Sequence, residues 1–105
     1  MVHNLALALH GRPLALPDFP EDRGVKGLGM SDWAGYAEPL AAKLDYVNTF
    51  YHREPRLDIT DLPAEMEGRY RFLLSSDVFE HIPPAGLEAA FRNSRRLLAD
   101  DGFFV

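Results

Sequence analysis

Tyr70-Arg71-Phe72-Leu73-Leu74-Ser75-Ser76-Asp77-Val78-Phe79-Glu80-His81-Ile82 is the stretch on which the fold turns. Its centre, Phe72-Leu73-Leu74, is an apolar run without polar alternation, the pattern of a strand buried on both faces. Such strands belong to parallel sheets, whose two faces are covered by helices. Pro83-Pro84 then stops extension, and Pro84 suits the first position of a helix. In that helix Leu87, Ala90, Phe91, Ser94, Leu97 and Leu98 fall at the spacing of one buried face. Arg92, Arg95 and Arg96 occupy its last turns, where cations complement the helix dipole. Asp101-Gly102 predicts a turn, and Phe103-Phe104-Val105 the start of a further strand.

Upstream, Val25 to Met30 reads as the first strand, with Ser31 or Asp32 as the N-cap of a helix. The apolar positions of that helix are Trp33, Tyr36, Ala37, Leu40, Ala41 and Leu44. Pro39 fits only a first turn, so an interruption is expected near the helix start. Tyr46 to Tyr51 is aromatic and β-branched, hence extended. Arg56 to Ile59 reads as another short strand, and Asp61 to Gly68 as a loop with one helical turn. At the N-terminus, Val2, Leu5, Ala6 and Leu9 have helical spacing, with the helix ending near His10-Gly11. Pro13, Pro17 and Pro20 make residues 12–23 an extended connector. The expected organisation is therefore a helix and Pro-rich connector over 1–24, then an α/β unit over 25–105. Its fold class is a partial Rossmann-like sheet, mostly parallel, flanked by helices.

Composition narrows the function. The chain has 105 residues, the size of one domain, with 47% apolar and 26% charged residues, a soluble globular balance. Sixteen acids against eleven bases give a net charge of −5, which disfavours nucleic acid as a partner because phosphate neutralisation needs a basic face. The absence of cysteine excludes disulfide scaffolds, thiolate metal sites and thiol nucleophiles. The longest apolar run, Leu5 to Leu9, is too short for a membrane span and lacks the flanks of a signal peptide. A cytoplasmic location is expected.

Ligands of open parallel sheets bind beyond the carboxyl ends of the strands, which draws attention to residues there. Asp32 closely follows the first predicted strand, Asp58 sits near the end of Arg56 to Ile59, Ser75, Ser76 and Asp77 end the Phe72 strand, and Glu80-His81 lies one short turn further on. A carboxylate there can accept hydrogen bonds from a ribose or an adenine amino group, although Asp and Ser are also common caps and turn formers. His81 is the best candidate for a general base, since an unperturbed imidazole titrates near neutrality; a structural histidine is the alternative. His52 with Glu54, or Asp77 with Glu80 and His81, contain metal-ligating types, but no spacing specifies a metal and none is expected. Gly24, Gly27 and Gly29 stand before or within a strand rather than after it. They read as sites of close packing or a bulge, not as a phosphate loop.

The Tyr70–Ile82 segment resembles the fourth-strand motif of class I S-adenosylmethionine-dependent methyltransferases of the type 11 kind, in which a strand leads to an apolar-apolar-Glu-His-apolar ending. Arg96-Leu97-Leu98-Ala99-Asp100-Asp101-Gly102-Phe103-Phe104-Val105 is similar to the family's Arg-x-Leu turn and fifth strand. Leu57-Asp58-Ile59-Thr60-Asp61-Leu62-Pro63 is similar to the segment after the third strand. The resemblance covers residues 25–105 and aligns Val25 to Asp32 with the second strand. It implies S-adenosylmethionine as cofactor, with Asp58 facing the adenine amino group and Ile59 offering its backbone to the ring. By the same resemblance Ser75, Ser76 and Asp77 line the methionine end, Asp32 stands in for the acid after the second strand, and His81 lies near a small-molecule or other methyl acceptor. The chain departs from the family pattern in lacking a glycine-rich cofactor loop and in carrying Arg71 within the fourth strand. Aligned this way the domain is incomplete at both ends and lacks its middle strand. Open edges beside Phe72–Leu74 and Phe103–Val105 then favour self-association. The function implied is methyl transfer, in this chain or a longer parent; the alternative is a non-catalytic module for binding or homodimerisation.

Overall fold

Phe72, Leu73 and Leu74 lie in the interior of a four-stranded, wholly parallel sheet and have no solvent exposure in the computed structural model, which describes residues 2–75 and 78–105. The elements run α1 (Val2–His10), β1 (Asp22–Met30), α2 (Ala34–Lys43), β2 (Leu44–Thr49), β3 (Tyr70–Ser75), α3 (Pro84–Leu97) and β4 (Leu98–Phe104). Strand order is β2-β1-β3-β4. Every pair is parallel, with Gly27 to Met30 of β1 opposite Tyr46 to Thr49 of β2 on one side and Phe72 to Ser75 of β3 on the other. This is the α/β, Rossmann-like layering expected from the central apolar run.

The two faces carry separate cores. On one, Leu5 and Ala6 of α1, Phe19 of the connector and Ala37 and Leu40 of α2 pack on Tyr46, Phe72 and Leu74. On the other, Ala90 and Leu97 of α3, together with Leu57 and Ile59, pack on Leu28, Met30 and Leu73. Adjacent residues of β3 thus point into different cores, so polar alternation is absent. Burying a side chain of this size stabilises the fold by about 1.5–3 kcal/mol. The N-terminal segment is part of the first core, and β1 begins at Asp22, three residues before the expected start.

Two glycines set the geometry of that first core. A Cβ on Gly27 would fall 2.0 Å from the Phe72 ring, and one on Gly29 would fall 2.1 Å from the Tyr46 hydroxyl. The bare backbone of β1 is therefore roofed by rings from its neighbours. Tyr46, Phe72 and Phe103 form a row with centroids 6.2 Å apart at each step. The packing reading of these glycines holds, and Gly24 lies in the stretch where the β1–β2 register shifts.

Several expectations are corrected. β1 is flanked on both sides, so Val25 to Met30 fills the middle of the sheet rather than leaving it vacant. The Phe72 strand has no open edge; the edges are β2 and β4. Arg56 to Ile59 is not a strand: Arg56 makes one isolated bridge to Phe50, and Leu57 and Ile59 turn into the second core instead. Neither Ser31 nor Asp32 caps α2, whose N-cap is Trp33 without a side-chain bond. The Trp33 ring lies over Gly35 and meets Tyr36 edge-on at 6.4 Å. The helix also runs through Pro39. At its other end Arg23 donates to the carbonyls of Ala41 (2.5 Å), Ala42 (2.8 Å) and Leu44 (2.8 Å), closing off groups that helix geometry leaves unpaired. On α3, Phe91 is exposed against Phe79, and Asn93 takes the buried position. β4 starts at Leu98, and its register against β3 slips between Tyr70–Leu98 and Phe72–Phe103, which places Asp101-Gly102 in the irregular stretch.

Candidate functional site

Chain order takes β1 outward to β2, then back across to β3 on the other side of β1. This reversal is the point where open α/β sheets form ligand crevices. A cleft of about 500 Å³ opens there, at the carboxyl ends of β1 and β2. It falls within the roughly 300–1,000 Å³ of small-molecule sites.

The floor is built where β1 and β2 end. The buried Thr49 hydroxyl donates to the Gly29 carbonyl (2.7 Å), and the Ser31 N–H donates to the Thr49 carbonyl (2.7 Å). Ser31 has φ of 54°, in the left-handed region. One wall is the Leu57–Thr60 segment. Because Leu57 and Ile59 are buried in the second core, Asp58 between them is turned outward to the cleft. The buried Asn93 amide holds this wall by donating to the Ile59 carbonyl (2.8 Å). Asp58 Oδ1 accepts from the Thr60 N–H (3.0 Å) and hydroxyl (2.7 Å), and Oδ2 has no partner among the described residues. The opposite wall is Val78 to Pro83, with a 3-10 turn over Phe79–His81. His81 projects from it, exposed, with Nε2 4.0 Å from Glu80 Oε1. Tyr51 and His52 complete the rim, their rings edge-to-face at 4.8 Å.

Of the cofactor-binding and catalytic candidates from the sequence, Asp58, Ile59 and His81 meet in this cleft, with His52 on its rim. Ser75 is half-buried and occupied with the β4 end, its N–H donating to Val105 (3.3 Å), outside the cleft lining. Ser76 and Asp77 lie outside the described residues. Asp32 is buried on the α2 side, away from the cleft lining. Its Oδ2 accepts from the Tyr46 hydroxyl, while Oδ1 is buried with no partner among the described residues. Burial pushes the Asp32 carboxyl above the usual carboxylate range, against the opposing effect of hydrogen bonds from Tyr46 and Tyr36. Burial, then the bond to Asp32, pushes the Tyr46 hydroxyl above its ordinary range too. Arg71 is structural: it donates to the Asp101 carbonyl (2.5 Å) and lies over the Phe103 ring.

Ser31, Thr49, Tyr51 and Thr60 are cleft residues that the sequence did not single out. Their common signal is position: three stand at or just after a strand end, and Thr60 follows an acid it can bond. Among the described residues no group of three His, Asp or Glu side chains is arranged to hold a metal, and no helix is long and apolar enough to cross a membrane.

The walls suit a flat, mostly apolar group. Ile59 and Ile82 supply apolar surface, Asp58 a hydrogen-bond acceptor, and among the described residues no Lys or Arg lines the cleft. No protein-family model matches the chain.

Proposed function

We propose that this cleft binds S-adenosylmethionine and serves methyl transfer to a small-molecule or other acceptor, in this chain or a longer parent acting in the cytoplasm. One observation carries the reading: Asp58, Ile59 and His81, which the family resemblance marks from two separate motifs, converge on one cleft at the carboxyl ends of the strands. S-adenosylmethionine, when bound, supplies a methyl group already activated as a sulfonium, which leaves alignment and exclusion of water to the protein. In this reading Asp58 accepts the adenine amino group and the Ile59 backbone, fixed by Asn93, borders the ring. His81, exposed at the rim, is free to take a proton from an acceptor. Calorimetry with S-adenosylhomocysteine tests this: the wild type binds, and Asp58→Ala weakens binding about 10- to 100-fold through loss of a charge-assisted bond. Absence of binding by the wild type overturns it.

A second reading, a non-catalytic module that self-associates, is favoured by the aromatic group on the surface beside edge strand β4. Phe91 is 60% and Phe104 43% exposed, both against Phe79. Sedimentation equilibrium over a concentration series distinguishes it, since a monomer throughout removes this reading.

A further inference from the structure

We propose that Ser31 is a specificity-determining contact in the cleft floor, presenting its hydroxyl to a polar group of the adenosine-bearing ligand; this rests on the reading of the cleft given above. Among the described residues Ser31 is the one non-glycine in the left-handed region. Any residue with a Cβ is strained there, and a glycine is not. The strain persists because the neighbouring strand holds the turn on every side. Ser31 donates its N–H to Thr49 (2.7 Å), and Asn48 exchanges two bonds with the Asp32 backbone, accepting at 2.9 Å and donating at 2.8 Å. Tyr46 binds the Asp32 carboxylate. A conformation held this firmly, with a side chain where none would be easier, points to use of the side chain.

Among the described residues nothing engages the hydroxyl itself. Ser31 is exposed, lines the cleft, and its oxygen has no partner among the described residues. The nearby hydroxyls of Thr49 and Thr60 are engaged with Gly29 and Asp58. Ser31 therefore offers a donor and acceptor at the base of a cleft whose other walls are largely apolar.

Two variants separate use from structure. Ser31→Gly removes the hydroxyl and the strain together, whereas Ser31→Ala removes the hydroxyl and keeps the strain. Both should bind S-adenosylhomocysteine about 3- to 10-fold more weakly than the wild type, the effect of one lost hydrogen bond. Ser31→Gly should also melt at or above the wild-type temperature, so that binding and stability move in opposite directions. Wild-type affinity in a folded Ser31→Gly protein overturns the inference while leaving the cleft reading intact. Absence of binding by the wild type overturns both.

Discussion

Tyr46, on edge strand β2, passes its ring across Gly29 of β1 and sets its hydroxyl on the buried carboxylate of Asp32. Only 5% of Asp32 is exposed, and its second oxygen has no partner among the described residues, so the Tyr46 bond is a large part of what makes the burial tolerable. Tyr46→Phe leaves the fold's packing in place and removes that bond. The expected cost is about 1–3 kcal/mol, read as a lower midpoint in urea without a change in slope.

The same pair makes stability depend on pH. A carboxyl whose folded-state value is raised holds its proton in the native chain after the unfolded chain has lost it. Its contribution is full below the ordinary carboxylate range and declines as pH rises through the raised value. Tyr46, raised as well, adds a decline of the same sign at alkaline pH. In thermal melts across pH, Asp32→Asn should lose the decline that sets in as pH rises above the ordinary carboxylate range; a decline that persists unchanged would assign the effect to other groups.

Gly27→Ala should destabilise strongly, because a methyl there meets the Phe72 ring rather than open space. Overpacking of this kind costs about 1–3 kcal/mol. Gly24→Ala is the control: its new methyl meets only an Asp22 oxygen at 3.2 Å, and a change well under that of Gly27→Ala is expected in the same denaturation assay.

Arg23→Ala should loosen the end of α2. Three carbonyls lose their donor, and the expected loss is about 1 kcal/mol after discounting for the exposure of the guanidinium. Hydrogen exchange should quicken at the last turn of α2 and leave α3 protected.

His81→Ala separates chemistry from folding. The ring is exposed and among the described residues its one ionic neighbour is Glu80, so the melting temperature should be unchanged. As a base it would account for about 10²–10⁴ of the methyl-transfer rate, with cofactor affinity retained. Normal turnover in the variant would remove it from the chemistry.

Much of the architecture was legible because it rests on burial from two sides. Phe72-Leu73-Leu74 has no polar face to display, and α3 could be placed from Leu87, Ala90 and Leu97. Asn93 could not be read in the same way: its amide is buried because it serves Ile59, a partner distant in sequence. Arg56 to Ile59 failed as a strand since β-branched and apolar residues also describe a segment that drops alternate side chains into a core. Asp58 was singled out near the end of a segment that is not a strand, and it reaches the cleft because its neighbours Leu57 and Ile59 are buried. Asp32 does follow a strand, yet the turn at Ser31 sends its carboxylate to the other side of the sheet. Serine carries no strong preference for the left-handed region, so nothing in the local sequence announces that reversal.

Trp33, the chain's single tryptophan, follows Ser31-Asp32 directly and lies over Gly35 beside Tyr36, 72% exposed. Its indole is therefore a native optical reporter attached to the cleft floor. Emission from one fluorophore gives an uncomplicated signal, and any ligand or substitution that relaxes the turn should move the ring between its glycine seat and water. Occupancy of the cleft should therefore be readable as a change of tryptophan fluorescence in the unlabelled protein.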